Sequence, residues 1–394
     1  MKIQSVNYYR KNNKVRLSAQ IIFKSGKTHE VYFETDREFD DFASKDASPF
    51  LAATLAICMK NKEDIEIDGN VSSAVLGNCQ KIMKKIELWN LGFIPVQIKA
   101  SAVINDMNKP KDIGCFFSGG VDSFYTYLKN NRKINKLIFV HGFDINIHNL
   151  SLYNKIRRNI VNISKEENIN LIEVKTNIRD MLDQYFPWTL SHPFALASVS
   201  LFLRNNLKEI YMSCGLPKKN TDHHFMTPDL DILWSTETMN IMHFGCGADK
   251  IDKIKYISKF DIVLKNLRVC WVNKKGAYNC SECEKCFRNM LGLYISDSLE
   301  KCVTFNKKIN LDRLRNIRVD DYCLKYYRAL LKTLILKNDH SDVRFSLEEA
   351  INVNENPMLR EKLIRNTRDS IGYIDKKYNS NRLYWFFVKK GLVN

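Results

Sequence analysis

Phe116-Phe117-Ser118-Gly119-Gly120-Val121-Asp122-Ser123 is the stretch on which the fold turns. An apolar run over Ile113–Phe117 leads straight into Ser-Gly-Gly, and a helical pattern over Asp122–Asn130 follows. Two adjacent glycines let the backbone turn sharply and bring N–H groups close to an anion. The helix that follows aims its unsatisfied N–H groups and positive dipole end at the same point. Ser118 and Ser123 add hydroxyl donors, and Asp122 would either cap the helix or help to hold Mg²⁺. A turn rich in Ser, Gly and Asp is common between a strand and a helix. Here the strand, the helix and both hydroxyls agree on a phosphate site. The loop lacks the lysine of a kinase-type or GTPase-type phosphate loop.

Outward from this loop, short apolar strands alternate with helical stretches. Strands are expected at Lys136–Val140, Asn170–Val174 and Glu209–Ser213, with helices at Leu152–Glu167 and Pro193–Asn205. Ser191 is a plausible N-cap for the latter helix, and His192 beside it has a structural role more readily than a substrate contact. Strands separated by helices of this length imply an α/β fold built on a parallel sheet with helices on both faces. Before it, residues 1–105 read as an N-terminal α+β domain. Val15, Leu17, Ala19 and Ile21 alternate with polar neighbours, Ser25-Gly26-Lys27 turns the chain, and His29–Thr35 returns as a hairpin partner. Val75, Leu76, Cys79, Ile82, Met83 and Ile86 mark one face of a helix, and Pro95–Ala100 reads as a closing strand. Asn108-Lys109-Pro110-Lys111 reads as the linker. The nucleotide-type domain runs over 106–300, and 301–394 reads as a helical C-terminal region with a stripe at Leu324, Tyr327, Leu330, Leu331 and Leu334.

Cys280-Ser-Glu-Cys283-Glu-Lys-Cys286 forms a C-x2-C-x2-C run, and Cys270 stands nine intervening residues before it. Four thiolates in so short a segment can close around one tetrahedral ion. Zn²⁺ suits an all-sulfur cage whose role is structural. An iron–sulfur cluster also takes four cysteines and is the less favoured alternative.

Composition bounds the rest. At 394 residues the chain suggests two or three domains. Its 45% hydrophobic and 11% aromatic content is that of a folded globular protein. The N-terminus has no apolar leader, and Phe194–Leu203 is too short to span a bilayer, so a soluble cytoplasmic protein without a membrane partner is expected. Eleven cysteines without a leader favour thiols and metal ligation over a disulfide framework. The net charge of +17 admits a nucleic-acid partner. The basic residues are interleaved with acids along the whole chain, which does not favour one.

Polar loops expected at the carboxyl ends of strands supply further candidates. After Ser213 come Lys218, Lys219, Asp222, His223 and His224, where Lys218 or Lys219 could neutralise phosphate charge and the histidines could move protons. After Gly245-Cys246-Gly247 come Asp249, Lys250 and Lys253, a second candidate group. For each single residue a solvated loop or an exposed helix face is an equally plain account.

The Ser118–Ser123 loop resembles the SGGxDS signature of the PP-loop ATP pyrophosphatases, a superfamily that includes asparagine, GMP and NAD synthetases, tRNA-thiolating enzymes and 7-cyano-7-deazaguanine synthase. The resemblance implies that Ser118, Gly119, Gly120, Val121, Asp122 and Ser123 bind the pyrophosphate portion of ATP. It also implies that the α-phosphate is attacked, releasing pyrophosphate. In that architecture Val140-His141-Gly142 borders the adenine. A PP-loop followed by four cysteines is similar in particular to the 7-cyano-7-deazaguanine synthase family, over about residues 112 to 290. It implies an ATP-dependent ligase that adenylates a carboxylate or amide oxygen and then takes ammonia, from solution or a partner. Asp122 and Ser123 of the loop, with Lys218 and Lys250 from the two polar groups, are the candidate catalytic residues. The acceptor could be a deazapurine, a sugar, a small metabolite or a protein terminus. The alternatives are a tRNA-thiolating enzyme, for which Cys214 or Cys246 could carry sulfur, and a non-catalytic ATP-binding interaction protein. Cys115, within a strand, is more plainly a core residue.

Overall fold

In the computed structural model, which describes residues 1–104, 109–215, 226–306 and 308–356, the chain divides into two units between Asp249 and Lys250. The strands of the first unit are β1 (Lys2–Lys11), β2 (Lys14–Ile22), β3 (Thr28–Asp36), β4 (Ile65–Ser72), β5 (Ile98–Ile104), β6 (Asp112–Phe116), β7 (Lys136–His141), β8 (Asn170–Thr176), β9 (Leu207–Ser213) and β10 (Asn240–Phe244). Hydrogen bonds join these ten into one mostly parallel sheet in the order β10-β9-β6-β7-β8-β3-β2-β1-β4-β5. The fold is therefore α/β, as expected.

The parallel half carries the loop. β6 pairs with β7 on one side and β9 on the other, β7 pairs with β8, and β9 pairs with β10, all parallel. Every residue of β7 is buried, as befits a central parallel strand covered on both faces. From β6 the chain runs through α3 (Val121–Asn130) to β7 and through α4 (Leu150–Glu166) to β8. It then returns through α5 (Ile178–Leu182) and α6 (Trp188–Phe202) to the opposite side of β6. That reversal makes the carboxyl ends of β6 and β9 the topological switch point, where open α/β sheets take their ligands.

The antiparallel part follows from its alternation. Val15, Leu17, Ala19 and Ile21 of β2 all face the core. The turn closes with Phe23 N–H donating to the Lys27 carbonyl at 2.9 Å, over Gly26 at φ 82°. This hairpin does not stand apart, because β3 pairs antiparallel with β8 at Phe33–Thr176 and Glu34–Lys175. Side chains secure the junction. Asn177 accepts from the Tyr32 N–H at 3.0 Å and donates to the Glu30 carbonyl at 2.7 Å, while Thr35 Oγ1 donates to the Glu173 carbonyl at 2.8 Å. The strands of residues 1–104 and those of the loop thus belong to one sheet.

Two helices sit deepest. α1 (Ser48–Asn61) is buried from Ser48 to Met59, as suits a sequence that is apolar but for Ser48 and Thr54 over that span. Phe50, Leu51, Leu55 and Ile57, each fully buried, contribute about 1.5–3 kcal/mol apiece. α6 packs against α1 and begins at Trp188 rather than at Pro193. Pro193 lies inside it, on a helix that is apolar on every side and gains more from burial than the missing N–H costs. Ser191 is accordingly not its cap: its hydroxyl donates to the Pro187 carbonyl at 3.3 Å. Between the two helices the buried Arg204 guanidinium forks onto the buried Asp46 carboxylate, whose Oδ1 also accepts from the Ser48 N–H at 2.8 Å. α2 (Ser73–Glu87) buries Val75, Cys79, Ile82, Met83 and Ile86, and Ser72 caps it.

The second unit is helical among its described residues: α8 (Lys250–Ile257), α9 (Asp261–Asn266), α10 (Glu284–Ile295), α11 (Leu311–Arg315), α12 (Asp321–Leu336) and α13 (Asp342–Glu355). Leu324, Tyr327, Leu330 and Leu334 of α12 are buried and Leu331 is half-buried, which is the expected stripe. No described helix is long and apolar enough to cross a membrane.

Candidate functional site

The loop is a strand–turn–helix element. β6 ends at Phe116, and Phe117 still donates its N–H to the Ile138 carbonyl at 2.8 Å, holding the loop against β7. Gly119 sits at φ 74°, a conformation glycine adopts without strain. Gly120 is the N-cap of α3 in an extended conformation and has no side chain to fill the cap. The first N–H groups of a helix have no intrahelical carbonyl, so α3 opens with donors facing the end of β6. Asp122 stands in its first turn. Ser123 faces inward: it is 4% exposed, and its hydroxyl donates to the Gly120 carbonyl at 3.0 Å. Its hydroxyl therefore shapes the turn, which leaves Ser118 as the half-exposed hydroxyl of the loop.

His141 and Gly142 close β7, the strand beside β6. The His141 ring is buried and stacks on Tyr153, with ring centroids 3.8 Å apart and planes 11° from parallel. Burial, and then the Lys175 ammonium, push its pKa down to about 4, so the ring is neutral. Its Nε2 is buried without a hydrogen-bond partner among the described residues. A nucleotide contact at this position would involve backbone more readily than the imidazole. Gly142, at φ 108°, has a packing reason of its own, since a Cβ there would stand 1.9 Å from the Thr176 carbonyl oxygen.

The loop after Ser213, with Lys218, Lys219, Asp222, His223 and His224, lies outside the described residues. Lys250 opens α8 and belongs to the second unit, and Lys253 of the same helix is buried. His192, past the first turn of α6, contacts the Trp188 carbonyl at 3.1 Å through Nδ1 and the Met226 sulfur at 3.2 Å through Nε2, a structural role. Cys115 is fully buried, and its thiol is pushed well up by burial.

In the second unit, Cys270, Cys280, Cys283 and Cys286 converge, with all four Sγ atoms within 4.8 Å of one another. Cys270–Cys283 and Cys280–Cys286 sulfurs are each 3.9 Å apart. A tetrahedral metal–thiolate centre with bonds of about 2.3 Å has edges of about 3.8 Å. The local backbone explains the convergence. Asn273 in the left-handed region returns its N–H to Cys270 Sγ at 3.2 Å, and Ser281, also left-handed, lets Cys283 N–H reach Cys280 Sγ at 3.3 Å. Cys283 caps α10, and Cys286 lies in its first turn, where the helix dipole favours thiolates. Buried Asn279 accepts from the Val269 and Cys270 N–H groups at 2.9 and 3.1 Å and donates to the Leu267 carbonyl at 2.8 Å. It thereby fixes the strand of chain that carries Cys270. The sulfurs do not titrate independently: hydrogen bonds from Cys283 and Cys286 hold Cys270 low, and Cys270 in turn pushes Cys283 up to about 12. Four sulfurs this close cannot all be anionic without a cation among them. The group could hold one metal ion, and its spacing is compatible with zinc.

A second sulfur pair escaped the sequence-level expectation of free thiols. Cys214, just past β9, and Cys246, just past β10, form a disulfide with Cα atoms 5.2 Å apart. The other nine cysteines are unpaired. No protein-family model, no curated protein and no solved structure matches the chain.

Proposed function

We propose that the chain is an ATP pyrophosphatase of the PP-loop type, which adenylates an acceptor oxygen and releases pyrophosphate, most closely resembling the 7-cyano-7-deazaguanine synthase family. The observation that carries this reading is the position of Ser118-Gly119-Gly120 between β6 and α3, at the point where the order of the parallel strands reverses. Backbone N–H groups at the start of α3, with the Ser118 hydroxyl, would hold the phosphates. Asp122 would carry Mg²⁺, which neutralises phosphate charge when bound. A carboxylate or amide oxygen of the acceptor attacks the α-phosphate, the bond to pyrophosphate breaks, and ammonia or an amine then displaces AMP. Positioning and electrostatics supply most of the acceleration. Lys218 remains the candidate cation for the leaving group. The four-cysteine cage is a structural Zn²⁺ site in this proposal, in a soluble cytoplasmic enzyme whose acceptor is a small molecule or a macromolecular terminus.

The test is pyrophosphate and AMP release from ATP by the purified, reduced protein, supplied with ammonium and a panel of carboxylate acceptors, beside Ser118→Ala and Asp122→Asn. Acceptor-dependent pyrophosphate, reduced at least tenfold in both variants, supports the proposal. ADP and phosphate as products would refute it.

A further inference from the structure

Strands β9 and β10 bring three metal-ligating side chains to the carboxyl edge of the first unit. Cys214 follows β9, His243 belongs to β10, and Cys246 follows β10. The two Sγ atoms and a ring nitrogen of His243 lie within 4.8 Å of one another. The backbone holds them in register, since Cys214 N–H donates to the Phe244 carbonyl at 2.8 Å and Gly245 at φ 93° turns Cys246 back.

The imidazole is prepared for a ligand. Its Nδ1 lies 2.6 Å from Asp231 Oδ2, at the end of α7 (Pro228–Asp231), with the two side chains 2% and 1% exposed. In the tautomer whose Nδ1 proton the carboxylate accepts, the lone pair is on Nε2. That Nε2 is buried with no hydrogen-bond partner among the described residues. A buried polar atom left unpaired is costly, and one in a native site calls for an explanation. A histidine held by a carboxylate through one nitrogen, with the other unpartnered and the ring beside two sulfurs, has the arrangement of a metal ligand with its outer-shell support.

We propose that Cys214, His243 and Cys246 form a second metal site, for Zn²⁺, with a fourth coordination position left to water or an acceptor oxygen. Three protein ligands of this kind are what an open zinc site takes, whereas the four-sulfur cage is closed. The disulfide is the unloaded state of the same residues. Two equivalents of an external thiol reduce it by two electrons, giving the Cys214 and Cys246 thiols and the thiol's own disulfide. Zn²⁺ then displaces the two thiol protons. On Cα atoms 5.2 Å apart, side-chain rotation takes the sulfurs from bonding distance to the edge of about 3.8 Å that two zinc–sulfur bonds require. The site stands whether or not the Ser118 loop turns over ATP, because it rests on different residues.

The experiment is zinc stoichiometry by mass spectrometry on the full chain, reduced anaerobically with a phosphine, loaded with Zn²⁺ and freed of excess. Wild type is expected to hold one more equivalent than Cys246→Ser and than His243→Gln, while Cys283→Ser keeps the equivalent that those two lose. Circular dichroism checks the fold of each variant. For any variant that does not fold, Co²⁺-loaded wild type decides. Before and after oxidation of the Cys214–Cys246 pair, confirmed by peptide mapping, its thiolate-to-cobalt absorption should fall by about two of the six sulfur ligands' share. Unchanged stoichiometry in folded Cys246→Ser, or an unchanged cobalt spectrum on oxidation of that pair, overturns the proposal.

Discussion

The carbonyl oxygen of Thr176 occupies the space beside Gly142, 1.9 Å from where a Cβ would stand, and Gly142 itself lies at φ 108°. The end of β7 is thus pressed against the end of β8 with no room for a side chain. Gly142→Ala combines a strained backbone with a clash against main chain that cannot rotate away. It should cost about 3 kcal/mol or more, read as the shift in urea midpoint at unchanged slope. A loss under about 1 kcal/mol would mean that the two strand ends are farther apart in solution.

Asp46 and Arg204 make the second prediction. Both are buried, and removing one leaves the other's charge unpaired. Asp46→Ala is expected to destabilise by about 3–5 kcal/mol. Asp46→Ala with Arg204→Met should cost clearly less than the two single changes added together, because no unpaired charge remains. Additive losses in the double-mutant cycle would show that the pair does not interact.

A pH dependence follows from His141. Its folded pKa is pushed down to about 4 by burial, and then by Lys175, against about 6.5 when unfolded. Between these values the unfolded chain binds more protons than the folded one, so stability rises with pH through the window. It is complete above about pH 6.5 and is lost as pH falls toward 4. Discounted for the polar neighbours that share the site, the loss is on the order of 1–2 kcal/mol. His141→Gln should flatten the dependence between pH 7 and 5, and an equally steep profile in that variant would assign the slope to other groups.

Metal removal should act through the second unit. If Cys270, Cys280, Cys283 and Cys286 hold Zn²⁺, a strong chelator should lower the melting temperature by several degrees, and added zinc should restore it. With the Cys214–Cys246 pair kept as the disulfide, Cys280→Ser is expected to abolish that zinc response. A melting temperature indifferent to both would leave the four sulfurs without a structural ion.

Several of these features were legible in the residues themselves. The hairpin was readable because Val15, Leu17, Ala19 and Ile21 alternate cleanly, and the loop because a strand, two glycines and a helix follow without a gap. The four-cysteine group was readable because its members lie close in sequence. Other features carried no periodic signal. α1 is apolar on every face, so no stripe marks it as a helix. The start of α6 was hidden by Pro193, which reads as a first-turn residue and instead sits inside a buried helix. The partnership of Asp231, His243, Cys214 and Cys246 is long-range: only the parallel pairing of β9 with β10 brings Cys214 to Cys246. A histidine three positions before a cysteine, followed by Gly-Cys-Gly, was its only trace in the sequence.

The junction of β3 with β8 has a consequence for synthesis. Tyr32 and Asn177, which it joins, are 145 residues apart, so the ribosome completes β1 to β3 long before their neighbour emerges. Until then β3 presents an open row of N–H and C=O groups to any passing strand. Pairings this distant in sequence also form slowly. The nascent chain is therefore exposed to misassembly at the edge that later receives β8, around Phe33 and Glu34, and shielding that edge during synthesis is a matter separate from the stability of the finished sheet.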